Sequence, residues 1–474
     1  MKATKYILLT AIGAMTLGLG ACSDDDKYFD SKYQSCPIEV TKVYLEDYES
    51  SVPDREVDFV RLGQTLRLEG KGFMGLKKVY INGYDTYFNR NLVTDGNMII
   101  SVNSKTPIVE AEEDVRNTIR LVKDDTETTI PFTVRAASPT VRSISNTLPM
   151  PGETVTVYGT GLQEVTAITL PGGTVITEGI QSDDVDGEWY SFTMPEGVTA
   201  GGALIATCAN GTAQSPDYFN YADCMILNFD GKGTQGYWSW SETGSMINNE
   251  DLVDDPLGKR GKCLQLVPDR LLVNGVSSAK SRVTECWTAG NDNADDDWNR
   301  MTEFIPATTP VTEVALQFDI YCPEPWGTTG QLEICLINNY NFGGYTSDDN
   351  NSKGLTMFFI PWLTNGVPFQ NTGWTTVTIP FSEMGKYKAL VEDKEAETPT
   401  FADIIADRNA ASYRNFGMGF VNSDFTYDEK EYKSEWFYGP KIYIDNWRVV
   451  PCKSVTISDF PEEEEEETPE TPAE

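Results

Sequence analysis

Two stretches of the chain repeat one another at a fixed offset, and that repeat constrains the fold more than any other feature. From Gly63 the chain reads Gly63-Gln64-Thr65-Leu66-Arg67-Leu68-Glu69-Gly70-Lys71-Gly72-Phe73. From Gly152 it reads Gly152-Glu153-Thr154-Val155-Thr156-Val157-Tyr158-Gly159-Thr160-Gly161-Leu162. The same offset carries on through Val79 with Ile168, Ile81 with Leu170 and Gly83 with Gly172. Each copy alternates apolar and polar residues, the pattern of a strand with one buried face, then bends at Gly-x-Gly into a second short strand. Glycine suits that bend because the backbone must turn tightly or take a positive φ. The repeat therefore predicts one small all-β sandwich used twice, over residues 37–136 and 137–222. Pro37 and Pro139 would stiffen the joints, as expected of spacers.

Composition removes whole classes of chemistry. The 474 residues carry a formal charge of -35 and no histidine. A nucleic-acid binder needs a basic face, so that class is disfavoured. Without imidazole there is no Ser-His-Asp triad, no Cys-His pair and no histidine metal ligand. Carboxylate chemistry, a Ser-Lys nucleophile, an oxygen-ligated cation or no chemistry at all remain.

Lys2 and Lys5 precede an apolar run from Tyr6 to Leu19 that ends Leu19-Gly20-Ala21-Cys22. This is the layout of a secretory signal peptide over residues 1–21, too short to span a bilayer. Leu-Gly-Ala-Cys resembles the bacterial lipobox, which implies acylation of Cys22, with residues 22–36 as anchor and linker. Ser23-Asp24-Asp25-Asp26 resembles the acidic signal that exports lipoproteins to the outer leaflet. The expected location is the outer-membrane surface, lipid-anchored and facing the medium. Export permits disulfides, and Cys224 with Cys452, which flank the first and last strands of the C-terminal region, is the pair to test. Residues 456–474, with six consecutive glutamates from Glu462 to Glu467, cannot bury a core and read as a disordered acidic tail.

Residues 223–455 hold nine of the ten tryptophans, which marks this region as the working one. Strand patterns occur at Met225 to Asp230, Val314 to Ile320, Leu332 to Ile337, Leu355 to Ile360, Thr375 to Ile379, Phe416 to Val421 and Ile442 to Val450. A helix is expected from about Phe401 to Arg414, with Ile404, Ile405 and Tyr413 on its apolar side. Many short strands in one long domain pack best as two antiparallel sheets, a jelly-roll sandwich.

The repeated stretches resemble the immunoglobulin-like IPT/TIG domain, whose pattern of glycine, alternating strand and Gly-x-Gly closes near Asn82-Gly83 in the first copy and Pro171-Gly172-Gly173 in the second. Three further passages resemble the carbohydrate-binding jelly rolls of bacterial surface proteins: Leu227-Asn228-Phe229-Asp230-Gly231, Trp374-Thr375-Thr376-Val377-Thr378-Ile379-Pro380-Phe381, and Ile442-Tyr443-Ile444-Asp445-Asn446-Trp447-Arg448-Val449. In this order, behind a lipobox, the whole chain resembles a surface glycan-binding protein of a Sus-like polysaccharide utilisation system. That resemblance implies an all-β chain of tandem IPT/TIG sandwiches followed by a larger β-sandwich. It also implies a non-catalytic binder of a polysaccharide, a β-glucan such as xyloglucan, partnered by an outer-membrane glycan transporter and other glycan-binding lipoproteins.

A pyranose presents a face of C–H groups and a rim of hydroxyls, so its site needs flat aromatic platforms and a few orienting polar groups. Trp326 lies in the turn Pro323-Glu324-Pro325-Trp326-Gly327, Trp362 heads a polar loop after Pro361, and Trp298 sits in Asp295-Asp296-Asp297-Trp298-Asn299-Arg300. These three are the expected platforms, with Trp287, Tyr340 and Tyr345 as lesser ones. Asn339 and Arg300 are the expected hydroxyl partners. Trp374 and Trp447, within strand motifs, are expected in the core. A structural Ca2+ would find its nearest ligands in Asp230 and Asp445, although hydrogen-bonded turns account for both equally well. No other cofactor is expected. Two alternatives compete with a glycan binder. A glycoside hydrolase needs only two suitably spaced carboxylates, and an adhesin would use the same exposed aromatics against a protein.

Overall fold

The computed structural model describes residues 28, 30–47, 52, 54–235, 247–266, 282–289, 294–337, 355–411, 413–422, 424–427, 429–434 and 441–460. Cys22 with the run before it, Trp238, Trp240, Asn339, Tyr340, Tyr345, Trp436 and the glutamate tail lie outside the described residues. The chain divides into two compact units, Met1–Ser138 and Pro139–Glu474. Both are built mainly from short strands.

In the first unit Arg55–Glu56, Glu39–Leu45, Thr65–Lys71 and Asn97–Ser101 form one antiparallel sheet, and Tyr84–Thr86, Lys78–Ile81, Thr118–Val122 and Glu127–Pro131 form another. Leu66, Leu68, Val79, Ile81, Met98 and Leu121 form its buried core. The second copy repeats this plan. Thr140–Ile144, Thr154–Thr160, Trp189–Thr193 and Gln181–Ser182 form one sheet, and Val175–Ile176, Ala167–Thr169, Ile205–Cys208 and Gly211–Gln214 form the other. Equivalent glycines do equivalent work. A Cβ on Gly70 would stand 1.9 Å from the Glu39 carbonyl oxygen, and one on Gly159 would stand 1.9 Å from that of Thr140. Gly72 and Gly161 take φ of +76° and +70°, a region glycine enters without the cost of a Cβ.

Two larger sheets make the C-terminal sandwich. One joins Val253–Asp254, Lys262–Leu266, Ile442–Pro451, Val314–Tyr321 and Thr375–Pro380, with Met225–Leu227 also paired to Ile442–Pro451. The other runs Arg282–Trp287, Gly417–Val421, Gln331–Cys335 and Thr356–Phe359. Phe318 stacks on Trp447 at 4.4 Å, and Leu332, Ile334, Phe416, Met418 and Phe420 share their buried cluster. The helix spans Phe401–Ala410, shorter than expected. Its capping box, Thr400 with Asp403, fixes the start, and Phe401, Ile404, Ile405 and Arg408 are buried. Tyr413 falls beyond its end and is 59% exposed. Short helices at Pro361–Thr364 and Gly385–Glu392 carry no signal in the sequence reading.

The second small sandwich is not a free-standing spacer, because a buried polar seam ties it to the larger one. Asp319 accepts from Arg260 at 2.7 Å, Arg448 at 3.1 Å, the Thr376 hydroxyl at 2.8 Å and Asn446 Nδ2 at 2.9 Å. Arg448 also donates to Thr147 Oγ1 at 2.8 Å. The Thr376 backbone N–H donates to Ser145 O at 2.8 Å, and Arg260 donates to Leu148 O at 3.2 Å. Burial alone would raise the Asp319 carboxyl, yet the adjacent Arg448 and Arg260 guanidiniums hold it below the usual carboxylate range. Asp445 rises well above that range, through burial and then the Asp319 charge.

No disulfide forms among the described cysteines. Cys224 O accepts from the Val449 N–H, which places Cys452 three residues further along the partner strand. At ~3.3 Å per residue that is ~10 Å, beyond disulfide reach. The expected Cys224–Cys452 pair is therefore two free thiols, with Cys452 Sγ 3.6 Å from Thr312 O.

Candidate functional site

The expected indole platforms are corrected by their surroundings. Trp326 is fully buried among Phe359, Phe369 and Phe420, and its Nε1 donates to Thr329 O at 3.0 Å. Trp362 folds back from its helical turn to donate to Gly330 O at 2.9 Å, with Phe425 and Tyr432 against its faces and edges. Trp298 lies between Phe381, Phe416 and the Arg408 guanidinium, 3.9 Å from its ring. A ring enclosed this way offers no face to a sugar. Turn context misled because a tryptophan N–H can satisfy a turn carbonyl while its ring closes the end of the core. Arg300 donates to Met225 O at 2.5 Å, so it holds the first strand of the domain. Trp374 and Trp447 are buried, as expected, and Trp374 Nε1 donates to Asp255 Oδ1 at 2.9 Å.

The two metal candidates serve backbone groups. Asp230 Oδ1 accepts from the Lys262 N–H at 2.8 Å, and Asp445 Oδ1 from the Asn446 N–H at 2.7 Å. Among the described residues no three acidic or cysteine side chains gather as a metal cage.

One sheet face remains as the candidate site. The outward side of the six-stranded sheet carries Gln317, Asp319 and Arg448, and Thr147 of the second sandwich engages Gln317 and Arg448. The four-stranded sheet turns Cys286, Leu332, Ile334, Met418 and Phe420 into the core. Period-2 alternation then directs their neighbours to the opposite face. The register sets them in rows. Glu285, Gly419, Glu333 and Phe358 cross the four strands in one row, and Trp287, Gly417, Cys335 and Thr356 in the next. Gln331 and Val421 belong to a third.

On this face Glu285, Trp287, Gln331, Glu333 and Cys335 are all buried. Glycines at 417 and 419 leave the middle strand without side chains, and the Trp287 indole lies over the first of them. A Cβ on Gly417 would meet Trp287 Cε3 at 2.0 Å. Trp287 Nε1 donates to Glu285 Oε2 at 3.4 Å. Trp287 is thus the one expected tryptophan that lies on the outward face, although it too is buried and serves as floor. Glu285 and Glu333 flank Gly419 two strands apart, both nearly fully buried, with their backbones ~10 Å apart by sheet spacing. The sequence reading missed them. Their signal was a glutamate alternating with core residues, as in Leu332-Glu333-Ile334. The segment 338–354, which carries Asn339, Tyr340 and Tyr345, joins two strands of this sheet and lies outside the described residues.

Fold and site together define a multidomain β-sandwich protein with a binding module at its C-terminus. Residues 219–451 match the family described as the surface glycan-binding protein B xyloglucan binding domain, and this C-terminal domain belongs to it. A curated IPT/TIG domain-containing protein of Bacteroides ovatus is 26% identical over 215 residues, 45% of this chain; the match spans 40% of the relative's length. Among solved structures, the surface glycan-binding protein PbSGBP-B from Prevotella bryantii aligns over 89% of this chain and 100% of its own, with 21% identity and a TM-score of 0.61, a likeness of fold. An SGBP-B from a complex xyloglucan utilization locus in Bacteroides uniformis aligns over 88% of this chain and 100% of its own, at 18% identity and TM-score 0.41.

Proposed function

We propose that this protein is a non-catalytic, cell-surface binder of xyloglucan or a closely related β-glucan. The observation that carries this reading is the xyloglucan-binding family match, which extends across the whole C-terminal sandwich. We place the ligand over the outer face of the four-stranded sheet, beside the strands Gln331–Cys335 and Thr356–Phe359 that the segment 338–354 connects in sequence. Asn338-Asn339-Tyr340-Asn341-Phe342-Gly343-Gly344-Tyr345 has the tyrosine, asparagine and glycine content of an adaptable recognition loop. In this reading Tyr340 and Tyr345 stack on sugar rings, Asn339 takes hydroxyls, and Glu285, Trp287 and Glu333 form the polar floor that positions them.

Cys22 would anchor the chain to the outer membrane, where neighbouring binders and a glycan transporter would hold one polymer by avidity. Affinity electrophoresis through gels containing xyloglucan, mixed-linkage glucan or galactomannan tests the reading. Retardation in xyloglucan with no release of reducing sugar is expected. Migration unchanged in every gel would reject the binder, and reducing sugar would reject its lack of catalysis.

A further inference from the structure

A second feature suited to sugar lies in the first unit, far along the chain from the C-terminal domain. A cleft of about 430 Å³ is lined by Lys77, Lys78, Asp85, Tyr87, Asn89, Arg90 and Asn91 among others, a size that accommodates a small ligand. Tyr87 is 83% exposed, the most exposed large apolar side chain among the described residues. Its display is forced by its neighbours. Thr86 and Phe88 on either side are buried, and Phe88 packs into the core cluster, so the alternation turns Tyr87 outward from a fixed backbone. Asn89 Oδ1 accepts from the Asn91 N–H at 3.0 Å, which pins the Arg90–Leu92 turn and holds both amides at the rim. The Tyr87 hydroxyl, the Asn89 amide nitrogen and the Asn91 amide have no protein partner among the described residues.

Two of the three cations that line the cleft are neutralised by partners in the protein itself, and the whole chain is strongly acidic. Lys78 is paired with Asp85 and Lys77 with Asp124, so both ammonium groups are compensated within the protein. The net charge of -35 repels an anionic polymer as a whole. What remains is a rigidly presented ring with carboxamide donors and acceptors and the Arg90 guanidinium beside it, groups that complement a pyranose face and its hydroxyl rim.

We propose that this cleft is a second carbohydrate subsite, which holds a neutral glycan by stacking on Tyr87 and hydrogen bonding to Asn89 and Asn91. The choice of β-glucan as its polymer rests on the function proposed above; the site itself does not. Two sites on one chain would bind a long polymer more tightly than either alone.

The test uses the full chain and soluble xyloglucan in quantitative affinity electrophoresis, with thermal melts as a control for folding. Tyr87→Ala should weaken retention about tenfold, whereas Tyr87→Phe, which keeps the ring, should stay within about twofold of wild type. In a Tyr340→Ala/Tyr345→Ala background, residual retention should remain and Tyr87→Ala should abolish it. Wild-type retention that Tyr87→Ala leaves unchanged would overturn the subsite alone, and would point to a protein-contact role for the cleft. Tyr87-dependent retention confined to polygalacturonan would overturn its neutral class. A wild type not retained by any glucan would instead reject the C-terminal reading and the polymer assigned here.

Discussion

Replacing Asp319 with alanine would leave two guanidinium groups buried without their counter-charge. The side chains of Arg448 and Asp319 are 0% exposed and that of Arg260 is 4% exposed, so water cannot substitute. Removing one partner of a buried ion pair costs about 3–5 kcal/mol, and the Thr376 hydroxyl and Asn446 amide lose the same acceptor. For a unit this large each kcal/mol moves Tm by about 2 °C, so the transition of the second unit should fall by roughly 6–10 °C. Calorimetry of the full chain at neutral pH measures this. The pH dependence is a second check. A folded pKa below the unfolded one gives stability that is complete above the unfolded value of ~4 and is lost as pH falls through the folded one. The gap between wild type and Asp319→Ala should therefore close only in acid. A variant melting within about a degree of wild type at pH 7 would refute the idea that this seam welds the two sandwiches.

Asp445 has the opposite sign: its folded carboxyl is raised, so it favours folding at low pH and the benefit is lost as pH rises through the raised value. Asp445→Asn should accordingly raise Tm at pH 7 and give no gain near pH 3, and a lower Tm at pH 7 would contradict this. Trp326→Ala should destabilise by about 3–5 kcal/mol, seen as a large fall in Tm; loss of glycan binding at unchanged Tm would mean that the indole is a platform after all. Gly417→Ala drives a Cβ into the Trp287 ring, so it should shift tryptophan fluorescence and cost about 1–3 kcal/mol; an unaltered spectrum and melt would show the face to be looser than described. Reductant should leave the melt unchanged, since Cys224 and Cys452 are free thiols, and a fall of several degrees would reveal a disulfide.

Much of the fold was written in local patterns. The offset between Gly63 and Gly152 placed corresponding strands, and the glycines at 70, 72, 159 and 161 proved necessary for reasons stated from the sequence, a close approach or a left-handed bend. Alternation in Val314-Ala315-Leu316-Gln317-Phe318-Asp319-Ile320 gave the central strand. It could not say what lay beyond Gln317, because Thr147 comes to it from a distant part of the chain. The site was less legible for a related reason. Whether an indole in a turn folds inward depends on a carbonyl at the far end of another loop, such as Gly330 O for Trp362. Composition points to tryptophan as a sugar platform, but packing claims the largest rings first.

On this proposal the C-terminal domain binds a xyloglucan chain with Tyr340 and Tyr345. Isothermal titration of a xylogluco-oligosaccharide into the full-length wild type and the Tyr340→Ala/Tyr345→Ala variant tests it most directly. Saturable binding by wild type, weakened at least about tenfold in a variant of unchanged Tm, is the expected result. Equal affinity in the two proteins, or no heat from wild type at all, would contradict it.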